Sequence, residues 1–208
     1  MSFRTTCLAL SRAAVACDSC FVGGRLARSG IGMAQPFTVG TNYEVGGVAV
    51  ISINPGAGKD AGYKQARKQA LVRFKAGEDT ALTDYWAALA SDAEQFWNPK
   101  YLARIRRLGL ALDRIAVGNI ALCATEGNQY PKQMLRNCWV RHSGGMVAAL
   151  SPGAVILMGG SSVMGEFQLT LASESGGWRV IQMAHFAHRE GNAYEIAECE
   201  RVRGLLGQ

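Results

Sequence analysis

The residues best suited to chemistry begin where a short apolar stretch gives way to a polar loop. Val48, Val50, Ile51 and Ile53 form a short β-branched apolar run without charge, which is typical of a buried strand in a parallel sheet. Asn54 and Pro55 end this stretch. Gly56 then permits close backbone approach to a ligand, and Lys59 adds a positive charge. The loop predicts a binding pocket at a strand end, although an ordinary strand-to-helix turn explains it equally well.

Three further apolar runs predict strands, and a polar side chain stands in or after each of them. Asn119 lies within the second run, Ser161 follows the third, and His185 follows the fourth. A buried asparagine needs hydrogen-bond partners, so Asn119 is either a structural residue or a reader of a ligand. Because the carboxyl ends of parallel strands meet at one sheet edge, these side chains and Asn54 predict a shared pocket. The three runs are residues 115–122, 155–158 and 180–183.

Cysteine spacing suggests a second kind of chemistry. Two of the cysteines form a C-x-x-C pair, Cys17 and Cys20, which is too closely spaced for an ordinary structural disulfide framework. Metal binding or redox chemistry is the better interpretation. The six cysteines of the chain are Cys7, Cys17, Cys20, Cys123, Cys138 and Cys199.

Charge suggests an anionic partner. The formal net charge is +6, and the excess is concentrated in two blocks, residues 59–75 with Asp60 as their only acid and residues 100–107 with none. This clustering favours nucleic acid over a small acidic ligand. A pair of solvated helix faces is the alternative that charge alone leaves open.

The elements that must position these residues alternate along the chain. Strands separated by helical segments predict a three-layer α/β/α fold around a central, mainly parallel four-stranded sheet. The 208 residues are enough for one core, so we expect a single domain, with residues 1–46 as an N-terminal extension carrying the C-x-x-C pair. The predicted helices cover residues 5–16, 63–75, 82–96, 101–112 and 131–150.

The N-terminal run is not predicted to be an export signal. Arg12 interrupts its apolar part, and no run approaches the roughly 20 apolar residues of a membrane span. We therefore expect a cytoplasmic protein that does not enter a membrane, and we expect a monomer.

Taken together, these motifs resemble the uracil-DNA glycosylase superfamily, and within it the iron–sulfur glycosylases. The run from Ser52 to Gly56 is similar to the family's first motif, in the Asn-Pro-Gly form of the mismatch-specific glycosylases. The strand with Asn119 and the following Cys123 is similar to the second motif. His185 corresponds to the histidine of the family's final motif.

The resemblance implies roles for these residues. Asn54 would orient the attacking water, Asn119 would read the uracil edge, and His185 would donate to a uracil carbonyl oxygen. Pro55 and Gly56 would line the base pocket. Tyr63 is the first choice for an aromatic that stacks on the flipped base, with Phe74 second. Contacts to DNA would come from Lys59, Ser161, His188 and Arg189.

The resemblance also assigns the cysteines. In the iron–sulfur branch, a C-x-x-C pair and two later cysteines hold the cluster, and Cys17, Cys20, Cys123 and Cys138 follow that order. Four thiolates suit either a [4Fe–4S] cluster or zinc, and the resemblance favours the cluster.

The implied activity is hydrolysis of the N-glycosidic bond of a flipped-out deoxyuridine in single- or double-stranded DNA, the first step of base excision repair. One alternative is a noncatalytic DNA-binding iron–sulfur protein of the same fold. Another is a nucleotide-binding transferase. A phosphate-binding P-loop is excluded, because Ile53 and Asp60 stand where that motif needs Gly and Ser or Thr.

Overall fold

A five-stranded sheet forms the centre of the molecule. The computed structural model describes residues 2–22, 26–55, 61–159, 167, 177–185 and 191–207. The strand order is β1-β3-β2-β4-β5, and every neighbouring pair is parallel except β1 with β3. The strands are β1 (Thr38–Val39), β2 (Val48–Ser52), β3 (Ile115–Asn119), β4 (Ala154–Met158) and β5 (Arg179–Met183).

The predicted three-layer α/β/α class and the mainly parallel sheet are confirmed, with one correction. The four predicted strands are β2 to β5, and the sheet has a fifth strand, β1, at its edge. Sequence analysis missed β1 because two residues within a glycine-rich stretch carry no periodic signal.

Helices cover both faces of the sheet. Alternation along β2 directs Ala49 and Ile51 to one core and Val50 to the other, so the sheet is buried on both sides. The described helices are α1 (Phe3–Ala16), α2 (Ala61–Lys75), α3 (Asp79–Ser91), α4 (Ala93–Phe96), α5 (Pro99–Arg107), α6 (Lys132–Cys138), α7 (Gly144–Leu150) and α8 (Asn192–Leu206).

Each face has its own set of helices. Buried side chains of α1, α2, α3, α6 and α7 form the first core, whereas those of α5 and α8 form the second. None of the described helices is both long enough and apolar enough to cross a lipid bilayer.

Two predicted helices are interrupted. The segment predicted as one helix over residues 82–96 divides at Asp92, which ends α3 and precedes α4. The segment predicted over residues 131–150 contains a π-helical turn, Trp139–Ser143, between α6 and α7. Such turns insert extra backbone into a helix and are frequent at functional sites.

The N-terminal segment lies against the chain that follows β3. The backbone N–H of Gln35 donates to the carbonyl oxygen of Leu122 at 2.6 Å, and that of Ser29 donates to Ala124 at 3.0 Å. Because α1 also packs on α7, residues 17–20 lie next to the segment that contains Cys123.

Candidate functional site

Strand register places the predicted pocket residues at one edge of the sheet. Ser52 of β2 pairs with Asn119 of β3 and with Met158 of β4, and Met158 pairs with Met183 of β5. Asn54 and His185 each follow two residues after one of these paired positions. The carboxyl ends of the four parallel strands are therefore level.

Asn54 is oriented by a neighbour from the loop after β3. Its side-chain nitrogen Nδ2 donates to Oδ1 of Asn128 at 3.1 Å and to the carbonyl oxygen of Pro55 at 3.2 Å. Asn128 has a φ of 55°, in the left-handed region that asparagine tolerates better than most residues. This arrangement uses the donors of Asn54 and leaves its Oδ1 free of hydrogen bonds to described residues, as an atom that can accept from a water.

Asn119 is fixed through its backbone. The buried hydroxyl of Ser143, in the π-helical turn, donates to the carbonyl oxygen of Asn119 at 2.9 Å and to that of Ile120 at 2.8 Å. The Asn119 side chain is half-buried and makes no hydrogen bond within the part of the chain that the structure describes. Its amide donors and acceptor are therefore not used by the described residues.

Two helices on the second face hold the segment that carries His185. Arg104 of α5 donates to the carbonyl oxygen of Ala184 at 2.6 Å, and Glu198 of α8 accepts from the Ala184 N–H at 3.3 Å. Arg201 pairs with Glu198 and donates to the carbonyl oxygen of Gln182 at 2.6 Å. The N–H and the carbonyl oxygen of Ala184, the residue before His185, thus both form hydrogen bonds with side chains.

Burial lowers the pKa of His185 below its ordinary value, and the nearby Arg104 guanidinium lowers it further. Arg104 is only 2 % exposed and lies 3.6 Å from the carboxylate of Glu195. A buried cation close to the imidazole disfavours a second positive charge. His185 is therefore held in its neutral form at neutral pH.

Three of the four cations in the second basic block are buried or paired with acids, and Lys100 is exposed. Arg104 is buried, Arg106 pairs with Glu94 at 2.5 Å, and Arg107 pairs with Glu195 at 2.9 Å. The acids are distant in sequence, so the pattern of residues 100–107 could not reveal them. In the first block, Arg73 pairs with Glu78, while Lys68 and Lys75 are exposed on α2.

The four cysteines of the predicted quartet line one small cavity beneath the N-terminal segment. Cys17 and Cys20 follow α1, Cys123 follows β3, and Cys138 ends α6. The backbone N–H of Leu122 donates to Sγ of Cys138 at 3.2 Å. The structure thus brings together thiols that are more than 100 residues apart in the chain.

The electrostatic surroundings of these thiols include two arginines. Burial raises the pKa of Cys123 to about 12 and that of Cys138 to about 11. Burial also raises the pKa of Cys20, whereas the positive charges of Arg141 and Arg28 lower it. The positive charge of Arg28 likewise lowers the pKa of Cys123. Both cations stabilise negative charge on the sulfurs.

The donor set fits a sulfur-ligated group. As the side chains stand, no group of three or more His, Cys, Asp or Glu among the described residues could hold a metal ion directly. Four cysteine thiols nevertheless line one cavity, and thiolates are the ligand type that iron–sulfur clusters use. The other two cysteines are elsewhere, Cys7 in the first core and Cys199 in the second.

Several predicted residues lie outside the described part of the chain. Gly56, Lys59, Ser161, His188 and Arg189 belong to segments that the structure does not describe, as does the side chain of Tyr63. Phe74, the second choice for a stacking aromatic, is fully buried in the first core, so it cannot stack on a flipped base.

The sequence analysis assigned no role to three residues that lie in or beside the candidate sites. Arg104 lies on the apolar face of its helix, between the buried Tyr101 and Leu108. A cation at such a position indicates that its side chain is buried and makes specific contacts. Asn128 lies in the stretch that resembles the family's second motif, but the sequence gave it no role. His142 lines the cysteine cavity and stands four residues after Cys138.

No protein-family model matches the chain. No curated protein matches it either.

Proposed function

We propose that this protein is a DNA glycosylase that hydrolyses the N-glycosidic bond of a flipped-out deoxyuridine. The observation that carries the proposal is the level carboxyl edge of the sheet, which gathers Asn54, Asn119 and His185. Each side chain has a chemistry that base excision needs. The resemblance in motif order supports the same activity.

The proposed reaction places each residue at one atom. Asn119 hydrogen-bonds the edge of the extruded uracil, and Asn54 accepts from a water aimed at the anomeric carbon. The bond between C1′ and N1 breaks and its electron pair leaves with the base. The water oxygen bonds to C1′ and releases one proton to solvent, and solvent returns a proton to the departed uracil anion. The uracil leaves as an anion, and donors already in place stabilise the charge that develops on it.

His185 would be one of these donors. Its neutral imidazole offers one N–H to a uracil carbonyl oxygen, and the fixed backbone of Ala184 limits how the ring can move. Preorganisation of this kind is worth several kcal/mol where charge develops away from water, on the order of 3 kcal/mol for one donor.

The proposal includes a [4Fe–4S] cluster held by Cys17, Cys20, Cys123 and Cys138, with zinc as the alternative. Their common cavity supports a group ligated by all four thiols, and the family resemblance favours the cluster over zinc. When bound, the cluster would cross-link the N-terminal segment to β3 and α6.

DNA is the proposed partner. Two lysines, Lys64 and Lys68, lie in the first half of α2, whose N-terminus follows the loop after β2. Helix N-termini and lysines are common phosphate contacts. The paired second basic block makes no comparable contribution.

An excision assay tests the proposal. A labelled oligonucleotide with one uracil, single-stranded or opposite G or A, is incubated with protein and then treated with alkali to cleave abasic sites. We expect cleavage with the unmodified protein and about a 100-fold loss or more with Asn54→Ala or His185→Ala. Asn42→Ala is the matched control, because Asn42 pairs with Asp113 outside the site and should retain activity.

DNA binding distinguishes the two alternative functions from each other. Salt-dependent DNA binding without cleavage of any uracil substrate would favour a noncatalytic DNA-binding protein. Absence of both DNA binding and cleavage would favour a nucleotide-binding transferase. Either result contradicts the glycosylase proposal.

A further inference from the structure

One buried histidine has no part in the proposed reaction. His142 lies in the π-helical turn, is 9 % exposed, and lines the same cavity as the four cysteines. Neither ring nitrogen, Nδ1 nor Nε2, has a hydrogen-bond partner among the described residues. A buried imidazole without a partner is unfavourable, so the site indicates an acceptor that the protein alone does not provide.

The cavity walls limit what that acceptor can be. The polar side chains of Asp18 and Asn137 also line the cavity, but both residues are exposed, and Asn137 already accepts from Gln133. Arg141 has donors only. Ser19, which also lines the cavity, is exposed. Among the described side chains that line the cavity, the buried ones that can accept are Cys123 and Cys138, whose sulfurs would also carry any group bound there.

Local structure explains why His142 and Cys138 line the same cavity. The π-helical turn begins directly after Cys138, so the turn carries His142 to the cavity that Cys138 also lines. The next residue, Ser143, anchors the turn to the end of β3. In either protonation state the imidazole carries at least one N–H, so its capacity to donate does not depend on pH.

We propose that His142 donates an N–H hydrogen bond to a sulfur of the cluster held by the four cysteines, and that this bond raises the cluster's reduction potential. The inference rests on the proposed cluster. Hydrogen bonds to sulfur stabilise the more negative, reduced state and are among the factors that set the potential of iron–sulfur proteins. His142 is therefore a positioning and tuning residue rather than a ligand.

The test compares two variants of similar side-chain size, His142→Leu, which removes the donor, and His142→Gln, which keeps one. Iron and sulfide content is measured first, and the reduction potential of each loaded protein is then measured by spectroelectrochemistry at one pH. We expect full cluster content in all three proteins, a more negative potential in His142→Leu, and a potential in His142→Gln closer to that of the unmodified protein.

Several results would overturn the inference. Equal potentials in His142→Leu and the unmodified protein would exclude the hydrogen bond while leaving the cluster intact. Loss of iron in both variants would make His142 a ligand. If the unmodified protein contained no iron, both the proposed cluster and this inference would be rejected. The excision assay would still test the glycosylase activity separately.

A measurement on the unmutated chain covers the case in which His142→Leu fails to fold. The sequence has three histidines, and of the two that the structure describes, His142 lines the cavity and His185 does not. In protein labelled with ¹⁵N-histidine, pulsed electron paramagnetic resonance of the reduced cluster should detect one weakly coupled nitrogen. No coupling, or the strong coupling of a directly bound nitrogen, would contradict the proposal.

Discussion

Single residues of the site depend on neighbours that are remote in sequence. Asn54 is held by Asn128, and the backbone before His185 is held by Arg104 and Glu198. Catalytic geometry is only as good as the hydrogen bonds that support it, since small displacements of reacting groups reduce the rate strongly. These supporting residues are therefore the most informative positions to change.

Removal of the Asn128 side chain should slow excision without weakening DNA binding. Glycine suits the positive φ of residue 128, so Asn128→Gly deletes the hydrogen bond to Asn54 with little backbone strain. Loss of one neutral hydrogen bond, about 1 kcal/mol, predicts roughly a fivefold lower kcat. Asn128→Asp keeps an acceptor oxygen and should recover much of the rate in single-turnover excision. Equal rates in all three proteins would show that Asn54 does not need this partner.

The pKa of His185 should depend on the charge of Arg104. Arg104→Met removes a positive charge that disfavours the imidazolium, so the pKa of His185 should rise toward its ordinary value, whereas Arg104→Lys should keep it low. Proton NMR titration of the histidine ring signals, assigned with His185→Gln, measures this directly. Identical titration curves for the Met and Lys variants would exclude the electrostatic explanation.

At the scale of elements, periodicity predicted most helices and the four parallel strands, because each buries an apolar stripe or run. The π-helical turn was not predictable from residues 131–150, since its residues differ little from those of a continuous helix. The short strand β1 and the pairing of Arg107 with Glu195 also depend on contacts between elements that are distant in sequence. The positions of Asn54, Asn119 and His185 at the carboxyl edge were predictable because the ends of the apolar runs that form the strands can be recognised in the sequence.

Close packing beside Asn119 should make β3 sensitive to one methyl group. A Cβ on Gly118 would lie 2.3 Å from the ring of Phe37, which is fully buried. We expect Gly118→Ala to lower the free energy of unfolding by about 1–3 kcal/mol, measured by urea denaturation. Gly145→Ala is the control, because its Cβ would meet Leu10 at ordinary contact distances and alanine favours the helix. Equal destabilisation by both changes would contradict this packing argument.

At the scale of the whole molecule, the N-terminal segment closes the cysteine cavity. The sequence indicated the quartet through cysteine order and family resemblance, but not the cavity, which forms when residues 26–35 pair with residues 122–126. Arg28, Arg141 and His142 around the quartet could not be predicted, because their proximity is a property of the folded chain.

Two buried helix cysteines provide a matched test of the quartet. Cys138→Ala should abolish or strongly reduce iron content, because it removes a proposed ligand, whereas Cys199→Ala should leave iron content unchanged. Iron and sulfide analysis of the purified proteins, with their visible absorbance, measures the difference. Zinc in place of iron would select the alternative metal, and equal iron content in both variants would remove Cys138 from the site.

The central claim is that the protein releases uracil from DNA by hydrolysis. Its most direct test is mass spectrometry of an intact single-uracil oligonucleotide after incubation with cluster-loaded protein, without alkali, together with chromatography of the released base. We predict free uracil and an unbroken strand with one abasic site, both absent with Asn54→Ala. An unchanged oligonucleotide, from protein that binds the same DNA, would contradict the claim.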